Sequence, residues 1–311
     1  MTTLFDADQL SQSLIPDTEG SERSWRNYSR VCLTSLLRQM HRANSDDVGQ
    51  LYQLLSTTPV EDLRDLLSDT PAGPYLAQDN GKFFGAVGAV ANTNLAGLEH
   101  VARQTAGYPL SVRNWVNAGQ GGGGAVLFLP YQTNQISTLR GLISTWMRLA
   151  IYETVSQPEG DARLWLVVDE PDALGAIDGP KDALVRLRKF GGRCVLGFQS
   201  IAQVSGTYGQ AEAQTIVENC GNTLILRCSA SEGDARFASK LIGEREILRE
   251  QTSKSWRPEE FMSSKTTSEH VITEAAVLPS EIEQLPDLAG YMKFAFQARW
   301  RRIVLYAPSG N

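Results

Sequence analysis

No stretch of the 311-residue sequence carries an apolar run long enough to span a bilayer. The first residues, MTTLFDADQL, lack the basic-then-apolar order of a secretory signal. The longest apolar candidate, Phe83 to Leu98, is rich in Ala and Gly and interrupted by Asn92 and Asn94, the composition of a packed helix. Cysteine is scarce: Cys32, Cys194, Cys220 and Cys228 are widely spaced and form no CxxC pair, which indicates neither a zinc site nor a disulfide framework. A soluble chain with reduced, cytoplasmic thiols is expected. Positive charge is in deficit too, with a net charge of -6 and a pI near 5.3. A surface basic all round is thereby excluded, and any nucleic-acid contact has to come from a local stripe or channel lining. The hydrophobic share of 42% and charged share of 21% are those of an ordinary globular protein, long enough for two domains.

The first third reads as helical. Ser21 is placed to cap a helix in which Trp25, Tyr28, Cys32, Leu36 and Met40 recur every three or four residues. Val48, Leu51 and Leu54 form a short second face. Thr58-Pro59-Val60-Glu61 has the pattern of a capping box with Pro at the first helical position, ahead of Leu63, Leu66 and Leu67. A longer helix is expected through Phe84, Val87, Val90, Leu95, Leu98 and Val101. These stripes are read as the core of a helical bundle. His41 and His100 have no second ligand-type residue at i+3 or i+4 and receive no function.

The pattern changes near Leu110. Ser111 is placed to cap a short helix with Val112, Trp115 and Val116, and Gly119 to Gly124 then leads into an apolar strand, Ala125 to Leu129. Gly119, Gly121 and Gly124 fit GxGxxG formally, but the run precedes a strand instead of joining a strand to a helix, so a dinucleotide site is rejected. A helix follows through Ile136, Leu139, Leu142, Ile143, Trp146 and Leu149. Leu164 to Val168 is a continuous apolar run, as in a strand buried on both faces. A helical stretch around Ala183 to Leu187, a strand from Arg193 to Phe198, a helix over Ala211 to Val217 and a strand from Thr223 to Cys228 come next. The polar stretch from Gln251 to Glu269 reads as loop, and final strands are expected near Gly290 to Phe296 and Arg302 to Leu305. Alternation of this kind implies a parallel sheet with helices on both faces.

The apolar run at 164 ends in Asp169 and Glu170, and an aliphatic run ending in Asp-Glu resembles the Walker B strand of P-loop ATPases. In such strands the first acid holds Mg²⁺ and the second aligns the attacking water. Taken alone, the same residues also fit a core strand capped by solvated acids. The next strand ends in Gln199, and the basic run Arg186, Arg188, Lys189 and Arg193 lies between the two; a solvated helix face is its plain alternative.

LWLVVDEPDAL, LVRLRKFGGRCVLGFQSIAQVSGTYG, EAQTIVENCGNTLILR and LPSEIEQLPDLAGYMKF together resemble the coupling ATPases of type IV secretion and bacterial conjugation, the TraD/TraG/TrwB-like proteins. LSVRNWV and LISTW extend the likeness into the helical part. The resemblance implies an α/β fold: an all-helical inserted domain over 1–110, then over 111–311 the second part of a RecA-like sheet with helices on both faces. By position it implies Asp169 and Glu170 as the Walker B acids, Asp169 holding Mg²⁺ through water, Gln199 as the γ-phosphate sensor and Arg188 as a finger reaching the next subunit. Pro171 departs from the larger apolar residue usual after the paired acids.

The family P-loop, GxxxxGK[ST], is missing; Gly175 to Asp182 has the wrong glycine spacing, and Pro180 removes a donor that a phosphate cradle needs. The chain is therefore expected to be the carboxyl-terminal portion of a coupling protein, without membrane anchor or Walker A, and inactive as an ATPase by itself. Loss of the strand before the P-loop is expected to leave apolar side chains uncovered. The resemblance further implies ATP and Mg²⁺ as cofactors, and non-specific DNA, a relaxase or relaxosome, effector proteins and type IV secretion components as partners. It also implies a homo-hexamer in the full-length protein, at the cytoplasmic side of the inner membrane. For DNA, Arg186, Lys189 and Arg193, or Arg299, Arg301 and Arg302, are the candidate contacts. The alternative is a docking module for relaxosome or effector proteins, with the ATPase part as a non-hydrolysing scaffold.

Overall fold

The computed structural model describes residues 4–17, 20–76, 85, 88, 95–103, 110–119, 124–132, 134–159, 164–170, 186–229, 233–257 and 262–306. The chain forms two compact units, Met1–Gly197 and Phe198–Asn311. Residues 175–182, whose glycine spacing departs from a P-loop, and most of the helix expected around 183–187 lie outside the described residues, as does the glycine run at 120–123.

The first unit opens with four helices, α1 (Leu4–Leu14), α2 (Arg23–Arg42), α3 (Val48–Ser56) and α4 (Val60–Leu67). Among its described residues the first hundred hold no strand. On α2, Cys32, Leu33, Leu36, Leu37 and Met40 are buried at helical spacing. Leu33, Leu37 and Met40 meet Leu14, Ile15, Leu51, Leu95 and Leu98, while Cys32 and Leu36 face Leu63, Leu67, Ala72 and Leu76. Burial of each Leu or Ile contributes roughly 1.5–3 kcal/mol.

Two expected caps are corrected. Glu22, in helical backbone, precedes α2 and makes no side-chain cap, so Ser21 is one residue too early. Pro59 is the N-cap of α4, not its first residue, and the Thr58 hydroxyl donates to the Gln53 carbonyl of α3 at 3.0 Å. The cap at Ser111 holds: its hydroxyl accepts from Asn114 N–H at 3.2 Å and starts α5 (Val112–Ala118).

Helix α6 (Ile136–Val155) is buried on several sides. Leu142 joins the helical core, Ala150 meets Val112 and Val116 of α5, and Ile143 and Met147 pack on Val168. Arg113 of α5 binds the bundle together. Its terminal nitrogens donate to both Asp6 carboxylate oxygens at 3.0 and 2.9 Å, and its Nε donates to Glu153 at 2.7 Å. Residues 124–132 form neither helix nor strand, with Leu129 and Tyr131 packed against the Ile143, Met147 and Val168 cluster, so the strand expected at Ala125 to Leu129 is not formed.

Strands β1 (Trp165–Asp169) and β2 (Arg193–Gly197) pair in parallel, from Trp165 opposite Arg193 to Asp169 opposite Gly197. One face, with Leu166, Val168, Cys194 and Leu196, packs on α6 and Leu187. On the other, Trp165 and Val167 are 61% and 71% exposed, which corrects the expectation of a strand buried on both faces.

In the second unit come α7 (Ile201–Tyr208), α8 (Gln210–Asn219), β3 (Thr223–Ile225) and α9 (Asp234–Ile242). A ribbon of β4 (Glu244–Arg257) and β5 (Met262–Ala275) follows, then α10 (Pro279–Glu283), β6 (Ala289–Lys293) and β7 (Arg301–Val304). Here β3, β6 and β7 make an antiparallel sheet in that order. Its core joins Ile225, Ala235, Ala238, Ile282, Leu285 and Ala289. Arg301 and Arg302 lie on the edge strand β7 and are exposed, as charge that blocks unwanted pairing would be. The ribbon overturns the loop expected from Gln251 to Glu269: β4 and β5 pair over fourteen positions. Leu248 and Val271, register partners, are 70% and 63% exposed.

Candidate functional site

Asp169 closes β1 at its carboxyl end and faces Gly197 of β2 across the ladder. A Cβ at Gly197 would lie 2.7 Å from the Asp169 Oδ1, so a larger residue there would turn the carboxylate aside. Glu170 follows with φ +51°, a left-handed backbone that a residue with a Cβ adopts at a cost of roughly 1 kcal/mol or more. Its N–H donates to the Gly197 carbonyl at 3.0 Å, which extends the register one step past the strand and holds the bend. The two acids thus leave the strand end at different angles, Asp169 exposed and Glu170 half-buried. Strain of this sort persists where surrounding bonds over-determine it, often at functional sites.

Gln199 lies two residues beyond Gly197 along the chain and is exposed. Next to it, Ser200 is buried and caps α7: its hydroxyl accepts from Ala202 N–H at 3.1 Å and donates to Asp234 Oδ1 at 3.2 Å. Ile201 N–H donates to the same Asp234 oxygen at 2.9 Å. Asp234 is the first residue of α9, 7% exposed, and its negative charge with burial, burial first, pushes the Cys228 thiol up. Sequence reading passed over Asp234, because a contact 34 residues away leaves no local pattern.

The basic run is dispersed among different partners. Arg188 is exposed on the turn that Gly191, at φ +86°, closes back onto the Arg188 carbonyl. Lys189 pairs with Glu159 at 2.7 Å, and the Arg193 guanidinium lies 5.9 Å from the Trp165 ring centroid. Arg186 is exposed. Among the described residues no cluster of three or more His, Cys, Asp or Glu could hold a metal. Magnesium in nucleotide sites needs less, one or two carboxylates together with phosphate oxygens and water, and Asp169 beside Glu170 fits that donor set.

The model of the type IV secretion-system coupling protein DNA-binding domain matches residues 1–305. The chain belongs to this family. Within the coupling proteins, TraD of Escherichia coli (strain K12) is 27% identical over 297 residues, which cover 92% of this chain and 40% of TraD. The conjugative coupling protein TrwB, in an unbound form, superposes with a TM-score of 0.82 at 27% identity, covering 98% of this chain and 69% of that one. TrwB in complex with ADP and Mg²⁺ gives 0.80 at 26% identity, with the same coverage. The chain thus spans about 40% of the length of TraD. The expected α/β architecture, helices with a parallel sheet, agrees with the TrwB fold, and β1 and β2 form the parallel pairing. Among the described residues, no helix is long and apolar enough to cross a membrane.

Proposed function

We propose that this chain supplies the Walker B and sensor half of the ATP site of a coupling protein that moves DNA, handing relaxase–DNA or effector substrates to a type IV secretion channel. The observation that carries the reading is the end of β1: two adjacent acids, the second strained into left-handed backbone and tied to Gly197. Nucleotide and Mg²⁺ bound to TrwB, at 26% identity, support the choice of ligand. Bound Mg²⁺ would neutralise charge on the phosphate oxygens. Asp169 would hold it through water. Glu170 would orient the attacking water and take its proton, Gln199 would donate to the γ-phosphate, and Arg188 would reach the neighbouring subunit's site. Over 111–311 the chain would form part of a RecA-like core and over 1–110 the inserted helical domain. A hexamer at the cytoplasmic face of the inner membrane, with non-specific DNA contact through Arg186, Lys189 and Arg193, completes the reading.

The test is binding of a fluorescent ATP analogue with Mg²⁺, to the chain alone and after addition of a segment carrying a P-loop. Binding only after the addition, lost on Asp169→Ala, supports the half-site. Magnesium-dependent turnover by the chain alone, abolished by Glu170→Gln, would overturn the expectation that it is inactive by itself.

One feature favours docking by the helical part as well. A cleft of about 370 Å³ opens between α1 and α2, lined by Asp8, Gln12, Asn27, Arg30, Thr34 and Arg38 among others. Arg38 is held by both oxygens of Asp8, at 3.0 and 2.7 Å, yet the buried Nε atoms of Arg30 and Arg38 lack an acceptor among the described residues. A polar peptide segment from a substrate protein would fit such a lining. If neither preparation binds nucleotide while deletion of 1–110 abolishes binding of a relaxase, docking becomes the primary function.

A further inference from the structure

We propose that Asp234 is a positioning residue for Gln199, and this rests on the sensor role assigned to Gln199 above. Three consecutive residues carry the argument. Ser200 and Ile201, immediately after Gln199, both bond to one oxygen of Asp234, at 3.2 and 2.9 Å. The turn that carries Gln199 is therefore anchored on its downstream side by a buried carboxylate.

Asp234 suits this work for a physical reason. Its carboxylate stands at the start of its own helix, α9, and accepts from the first turn of α7, so the N-terminal ends of two helices converge on one negative charge. Gly233, at φ +79°, makes the sharp entry that sets Asp234 at the start of α9. Hydrogen bonds to an ionised carboxylate are about twice as strong as neutral ones. Ser200 is doubly engaged, donating to Asp234 while accepting from Ala202, which fixes its rotamer and the backbone at Gln199 with it. Reacting groups tolerate little displacement, a shift of about 1 Å lowering rates by about 100-fold.

A plain helix cap would also lower stability when removed, so the experiment separates the roles by kinetics. Steady-state ATP hydrolysis is measured on the chain assembled with its P-loop segment, for Gln199→Ala, Asp234→Asn, Asp234→Ala and the double variant Asp234→Ala/Gln199→Ala. Asp234→Asn keeps the shape and one acceptor oxygen and serves as the folded control, checked by its melting curve. The expected result is a kcat lowered about 10- to 100-fold by Asp234→Ala, with KM for ATP unchanged within about twofold and no further loss in the double variant. Asp234→Asn is expected to fall between wild type and Asp234→Ala. Losses that multiply in the double variant, or normal kcat for Asp234→Ala beside an impaired Gln199→Ala, overturn the positioning role and leave the sensor role standing. Normal kcat for Gln199→Ala overturns both.

Discussion

Replacing Arg113 with Met keeps most of the side-chain volume and removes the one cation shared by Asp6 and Glu153. The two carboxylates are 12% and 13% exposed, and Arg113 itself is 30% exposed. The Asp6 bonds first, and then Glu153, hold the guanidinium above its ordinary range, so Arg113 stays charged beside the two acids. Breaking a buried ion pair from one side costs roughly 3–5 kcal/mol. The solvent access of Arg113 reduces that to about 2–3 kcal/mol for Arg113→Met. With a urea dependence of about 2–3 kcal/mol per molar, the unfolding midpoint falls by about 1 M. Trp115 and Trp146 pack around the same cluster and supply the fluorescence signal. Adding Asp6→Asn to Arg113→Met is expected to restore part of the loss, about 1 kcal/mol, because it removes a buried charge that has lost its Arg113 partner. A midpoint shift under about 0.2 M, or no recovery in the double variant, would refute the account of the network as the clamp between α1, α5 and α6.

Three further outcomes follow from the site and the core. Gly197→Ala brings its new methyl against the Asp169 carboxylate, which turns aside; the expected cost is under about 1 kcal/mol in melting experiments, together with loss of Mg²⁺-dependent nucleotide binding in the assembled protein. Glu170→Gly relieves the left-handed backbone and is expected to raise stability by about 1 kcal/mol while abolishing turnover; a melting temperature below wild type would contradict the strain. Burial pushes the Cys32 thiol up from 9.0 to about 11. Because the folded pKa lies above the unfolded one, stability is unaffected below about pH 9 and falls as pH rises toward 11, by roughly 2–3 kcal/mol in all. Maleimide labelling at pH 8 is expected to reach Cys32 last of the four cysteines, and the alkaline loss to shrink in Cys32→Ala.

Much of this molecule was legible from local pattern. The apolar stripes of α2 and α4, the Ser111 cap and the strand ending in Asp169 and Glu170 all follow from spacing that a single element imposes. The caps at Ser21 and Thr58 failed for a local reason also: several hydroxyls lie near each helix start, and competition from the Gln53 carbonyl decided the second. Trp165 and Val167 read as core because apolar runs are usually covered on both faces, and here one face is open. Arg113 with Asp6 and Asp234 with Ser200 stayed out of reach, since an ion pair between residues 107 apart and a hydrogen bond between residues 34 apart are fixed only by the packing of whole helices. The ribbon was missed because strands are recognised by an alternation that burial on one side creates. Leu248, Val271 and Ile272, on its two strands, are all exposed, so no such alternation arises there, and only the abundance of Thr and Ser hints at extended backbone.

The fourteen-rung ribbon is also a ruler. At about 3.4 Å per residue it is roughly 45 Å long, and the core beneath it is closed by separate contacts, the Ala276 N–H on the Gly243 carbonyl and the Ser239 hydroxyl on that of Val277. Reach and stability are in this way set by different residues. Removing one rung at a time, a residue from each strand, shortens the reach in steps of about 3.4 Å and leaves the base intact, so evolution or an engineer can retune the distance spanned without reworking the fold.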